Sequence, residues 1–109
     1  MRPKSLQALR EKIRQKTGRT RNGSLVQILV DLNPMLRGWF GYFKHAWAST
    51  FQAIDGFVRR RLRAILRRRH KRAGSGRTLK DHQRWPNAFF AAQGLFTLHE
   101  AYVQASQSR

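Results

Sequence analysis

The chain has 109 residues, with 23 Lys and Arg against 5 Asp and Glu, a formal net charge of +18. It contains no Cys, which excludes disulfides, thiol nucleophiles and thiolate metal sites. No run approaches the ~18 consecutive apolar residues of a transmembrane helix, and the basic N-terminus lacks the apolar stretch of a secretory signal. So much charge on a chain of one-domain length points to an anionic partner, nucleic acid first and an anionic membrane surface second.

The pattern predicts an all-α fold, a small helical bundle with one long basic amphipathic helix. A single domain over 1–109 divides into a basic N-terminal helix and loop (1–23), a helical core with an Arg-rich helix (24–72) and C-terminal helices (78–106). Ser5 is placed to cap a first helix running to Lys16, with Leu6, Leu9 and Ile13 at spacings of three and four. Thr17-Gly18 and Asn22-Gly23 mark a loop. Ser24 caps a second helix carrying Leu25, Ile28, Leu29 and Leu32 on one face. Asn33-Pro34 is expected to end it and open a third, with Pro34 at the first helical position. Leu36, Trp39, Phe40, Phe43 and Trp47 continue at helical spacing as core. Gly38 and Gly41 each weaken this helix by up to ~1 kcal/mol relative to Ala, tolerable where a backbone or a ligand approaches closely.

Ser49 and Gln52 form a capping-box pattern at the head of the next helix, which runs to His70. At about 100° per residue, Phe51, Ile54, Val58, Leu62, Ile65 and Leu66 share one arc. Arg59, Arg60, Arg63, Arg67 and Lys71 share the opposite one, a basic stripe facing solvent. Ala73 to Arg77 read as a loop, and Thr78 or Asp81 as the cap of a short turn before Trp85-Pro86. Asn87 to Gly94 read as a short apolar helix ended by its glycine. Thr97 and Glu100 form another capping box, and Leu98, Ala101, Tyr102 and Ala105 give the last helix its apolar face.

The charge is unevenly distributed: +7 over residues 1–24, zero over 25–58, +9 over 59–72 and +2 over 73–109. In 59–72, Arg outnumbers Lys eight to one, and the planar guanidinium suits bidentate phosphate contact. The nucleic-acid-contact candidates are therefore Arg59, Arg60, Arg63, Arg67 and Lys71, followed by Arg68, Arg69, Arg37 and Lys44. Tyr42 and Phe57 lie off the core stripes and are candidates for base stacking. His45, His70, His82 and His99 lack metal-ligand spacing, so no metal or other cofactor is expected. Five carboxylates leave little material for acid–base or two-metal catalysis, and no catalytic residue is assigned.

The run Leu32-Asn-Pro-Met-Leu-Arg-Gly-Trp-Phe-Gly-Tyr-Phe43 resembles the signature of the maturase-specific domain of group II intron-encoded reverse transcriptases. Phe51-Gln-Ala-Ile-Asp-Gly-Phe-Val-Arg-Arg-Arg-Leu-Arg63 is similar to the family's Asp/Arg-Arg/Leu-Arg block, with Phe57 where an aromatic is expected. His82 to Leu98 looks like the C-terminal part of bacterial members, so the resemblance spans residues 5–109. It implies a helical thumb that follows polymerase fingers and palm, in a bacterial-type cytoplasm. That thumb binds structured intron RNA, assists its splicing and holds an RNA/DNA primer–template duplex. The chain has no adjacent aspartate pair, so it is not expected to polymerise alone. It reads as the domain alone, free-standing or the remnant of a truncated frame. Two other readings stay open: a non-specific basic nucleic-acid-compacting protein, and a structural subunit docking on a separate polymerase. A membrane-active helix fits least, because the aromatics are distributed as a globular core.

Overall fold

The computed structural model describes residues 3–18, 22–43, 47–69 and 79–107. Six helices follow in chain order: α1 (Pro3–Lys16), α2 (Leu25–Phe43), α3 (Ala48–Arg69), α4 (Leu79–Arg84), α5 (Asn87–Ala92) and α6 (Leu98–Gln107). No strand occurs among the described residues. The fold is an all-α bundle in which α3 packs against α6 and α1, and α2 against α1 and α6. The loop expected over residues 73–77, the cap at Thr78 and the side chain of Asp81 lie outside the described residues.

The apolar arc of α3 forms the centre as expected. Phe51, Ile54, Val58, Leu62, Ile65 and Leu66 are all buried, with Leu9 and Ile13 of α1 and Ile28, Leu29, Leu32 and Leu36 of α2. The Phe51 ring is the hub of an aromatic cluster, with Phe40 at 5.4 Å, Tyr102 at 5.6 Å and Trp39 edge-on at 6.2 Å. Trp39 and Phe40 pack on the core half-buried, and Phe43 lies half-buried at 4.9 Å from Trp39. Trp47 departs from the expectation: it is 78% exposed. The helical spacing that placed it inside does not apply, because Trp47 itself is not helical. Trp47 instead starts α3, its carbonyl accepting from the amides of Thr50 and Phe51 at 3.0 and 3.3 Å.

Caps set the start of α2 and the end of α5. Ser24 Oγ accepts from the Gln27 amide at 3.2 Å while Gln27 Oε1 accepts from the Ser24 amide at 3.0 Å, a reciprocal capping box. α5 ends in a Schellman motif, with Leu95 N–H on the Phe90 carbonyl and Gly94 N–H on that of Ala91. Gly94 takes the left-handed φ of +100° that the motif requires. The expected box at Ser49 is not used: Ser49 lies inside α3, and Gln52 Nε2 meets His99 Nε2 at 3.2 Å. Of the expected apolar face of α6, Leu98 is buried, Ala101 and Tyr102 are half-buried, and Ala105 is exposed.

Asn33-Pro34 neither ends α2 nor starts a new helix. α2 runs straight through, with Pro34 inside it. Pro34 removes one backbone donor and leaves the Val30 carbonyl without its helical partner. Val30 is 63% exposed, so water reaches that side of the helix. The Asn33 side chain reaches across to the α5–α6 turn. Its Nδ2 donates to the Gly94 carbonyl and its Oδ1 accepts from the Phe96 amide, both at 2.8 Å.

Asp55 performs a similar task one layer inward. It is 5% exposed on α3, and its two oxygens accept from the amides of Leu98 and His99 at 2.8 and 2.9 Å. The carboxylate therefore caps α6 from another helix, at the end where the helix dipole favours negative charge. Burial pushes its pKa above the usual aspartate value; the His99 and Leu98 amides, then the charges of Arg59 and His99, act the other way. Asp55→Ala leaves both amides without that partner, so a loss of about 2–4 kcal/mol is expected. Thermal melts give the loss, and hydrogen exchange should show it concentrated at the start of α6.

Candidate nucleic-acid interface

One side of α3 carries Gln52, Gly56, Arg59, Arg60 and Arg63 at helical spacings of three and four. Two cavities lie along it. One of about 500 Å³ lies between Gln52, Asp55 and Arg59 of α3 and Asn87, Thr97 and His99. The second, about 400 Å³, is bounded by Ala53, Gly56, Arg59, Arg60, Arg63 and His82. Gln52, Arg59 and Asn87 border both, so they form one polar trough. Arg59 acts on Asp55 only through its charge and makes no hydrogen bond or ion pair to a described residue. Arg59 is half-buried and borders the trough.

Arg63 corrects the expected stripe. It is 2% exposed, not solvent-facing. Its Nε donates to the Trp85 carbonyl at 2.8 Å and its Nη2 donates to Asn87 Oδ1 at 2.9 Å. The guanidinium lies 5.3 Å from the centre of the Phe90 ring. Trp85, between α4 and α5, and Asn87, at the head of α5, close over this position. A helical wheel cannot register that second covering layer. Arg63 is a buried tie between helices, so it leaves the set of available cations.

Arg61 is also structural. Its Nε donates to Thr17 Oγ1 at 3.1 Å, and its Nη2 donates to the carbonyls of Thr17 and Arg14 at 3.1 and 3.3 Å. It thereby caps the C-terminal end of α1, where carbonyls lack helical partners and a cation is favoured. Beside it, the Phe57 ring gathers Arg14, Arg10 and Arg60 at 5.4, 5.7 and 6.0 Å. Phe57 is therefore engaged by three guanidinium groups and not open for base stacking. α1 thus contributes Arg10 and Arg14 to the same basic surface as Arg60. The sequence signalled these two only through the net charge of its first segment.

The other candidates are dispersed. Arg67 is half-buried, and Arg68 and Arg69 are exposed at the far end of α3. Arg37 is exposed on α2, 5.4 Å from the Phe96 ring. Lys44 and Lys71 lie outside the described residues. Arg14 pairs with Glu11 at 3.3 Å. Five carboxylates, one of them spent on α6, cannot neutralise 23 cations, so the surface keeps a large positive excess. Among the described residues, no three His, Asp or Glu are grouped to hold a metal ion, and no helix is long and apolar enough to cross a membrane.

Comparison with known families fixes the relationship of this fold. The family described as group II intron, maturase-specific domain, matches residues 6–85. The chain belongs to that family. No curated protein gives a significant match.

The family match takes in α1 to α4 and ends at Trp85, whose carbonyl Arg63 holds. α5 and α6 lie beyond it and are fastened to the maturase-specific core by Asn33, Asp55 and Arg63. Arg63→Gln should therefore lower stability by about 2–4 kcal/mol, the scale of charged hydrogen bonds lost from a buried site. Arg59→Gln should melt within about 0.5 kcal/mol of the parent, as surface substitutions do. Thermal or urea unfolding of the two variants makes the comparison.

Proposed function

We propose that this domain binds structured group II intron RNA and assists its splicing, as an accessory element without catalysis of its own. The RNA supplies the chemistry, and the protein stabilises its active shape. In a longer protein the domain would act as the thumb behind polymerase fingers and palm, where the same surface would hold a primer–template duplex. A cytoplasmic setting follows from that reading. The observation that carries it is the polar trough of α3. Arg59 and Arg60 border the same cavity as Gly56, where a Cβ would meet no atom within 4 Å. A helix interior gives up to ~1 kcal/mol to such a glycine, and no described neighbour requires it. An RNA backbone lying close against α3 would use that space.

The proposed contact set is Arg59 and Arg60, with Arg10 and Arg14 of α1 beside them and Arg67, Arg68 and Arg69 at the end of α3. Arg37, Lys44 and Lys71 are further members, and Arg63 is not one. Guanidinium groups that neutralise phosphates release counterions, so affinity falls with salt. Arg59→Gln combined with Arg60→Gln should flatten the log–log salt dependence by about 1.4–1.8. Fluorescence anisotropy across a salt series measures this, with melts of the variant checking that the fold persists. An unchanged slope would remove the trough from the interface. Competition with unrelated structured RNA separates intron recognition from general compaction, since a compactor would bind both equally.

A further inference from the structure

A second concavity, of about 480 Å³, lies between α1 and α2, on residues that the trough does not use. Ser5, Ala8 and Lys12 form one wall and Pro34, Gly38, Trp39 and Tyr42 the other. Tyr42 is 85% exposed, with its ring 5.5 Å from that of Phe43. Gly38 sits inside α2, where a Cβ would meet no atom within 4 Å. The close backbone approach that would justify a helix-weakening glycine is therefore absent among the described residues, and the space it leaves belongs to the groove. α1 supplies positive charge at the rim through Lys12, which is exposed and lines the groove, and Lys4 is exposed on the same helix.

We infer that this α1–α2 groove takes an unpaired nucleobase of the bound RNA, stacked on Tyr42, with its phosphate against Lys12. The inference rests on the RNA-binding reading above. An occupant here must be anionic, to match the rim, and must offer a flat apolar face to an exposed ring. A splayed nucleotide combines both, and such bases are recognised by stacking on aromatic side chains. RNA held over α3 would then be read at a second point by shape, through a base that only a bulge or loop can supply.

The test uses two RNA hairpins that differ in one position, a 5-iodouridine either bulged or paired. The parent should bind both through their phosphates and the bulged one about tenfold more tightly, within the range of one base stack. Long-wave irradiation should cross-link the bulged base to Tyr42. Tyr42→Ala, and Gly38→Leu to fill the groove, should reduce the bulged affinity to that of the paired hairpin and leave melting unchanged or, for Gly38→Leu, raised. Tyr42→Phe should keep the preference. Equal binding of both hairpins by parent and variants would overturn the base site and leave the groove to a protein partner. Failure of the parent to bind either hairpin would overturn the RNA reading itself.

Discussion

The buried guanidinium of Arg63 decides how this chain can be both strongly basic and folded. A charge moved out of water must recover its lost solvation from hydrogen bonds and from the surrounding groups. Arg63 does so on the Trp85 carbonyl, on Asn87 and over Phe90. Trp85 lies between α4 and α5, and Asn87 and Phe90 belong to α5, so satisfying the charge also seats α5 on α3. Asp55, two turns earlier on the same helix, fastens α6 in the same manner with opposite sign. The central helix therefore holds the C-terminal part by the buried Arg63 and Asp55 side chains together with its apolar arc, where Phe51 meets Tyr102 and Leu98 is buried. The same arc shares the core with α1 and α2.

This divides the basic residues into two kinds. Arg61 and Arg63 face carbonyls and are part of the fold. Arg59 and Arg60 border a trough that Gly56 also lines. Neighbours in sequence thus serve different ends, because a shift of about 100° per residue moves a side chain from one neighbouring element to the next. Counting arginines measures the field around the molecule and not the number of phosphates it can hold.

The helices and the principal core were legible in the sequence wherever local rules decide. The apolar spacing of α1, the Ser24–Gln27 box and the arc from Phe51 to Leu66 all have physical causes within one helix. Asn33-Pro34 was misread because the strongest local rule for that pair is a helix start. The actual work of Asn33 lies at a turn 61 and 63 residues away. The stripe was legible as charge but not as a surface, since periodicity assumes a single covering layer and Arg63 lies beneath a second. Trp47 was misplaced by carrying the α2 spacing to a residue that is not helical. The convergence of Arg10, Arg14 and Arg60 on Phe57 needs two helices to be docked before it can be seen.

The division between structural and RNA-facing arginines is tested most directly by the NMR signals of the arginine Nε–H groups, recorded with and without structured intron RNA. The account predicts that Arg63 Nε–H gives a slowly exchanging signal in the free domain, because it is buried and bonded to Trp85, and that RNA leaves it in place. The Arg59 and Arg60 signals should exchange rapidly in the free domain and become protected or shifted when RNA binds. An Arg63 signal that exchanges as fast as that of Arg59, or one that moves with RNA while Arg59 and Arg60 do not, would contradict the account.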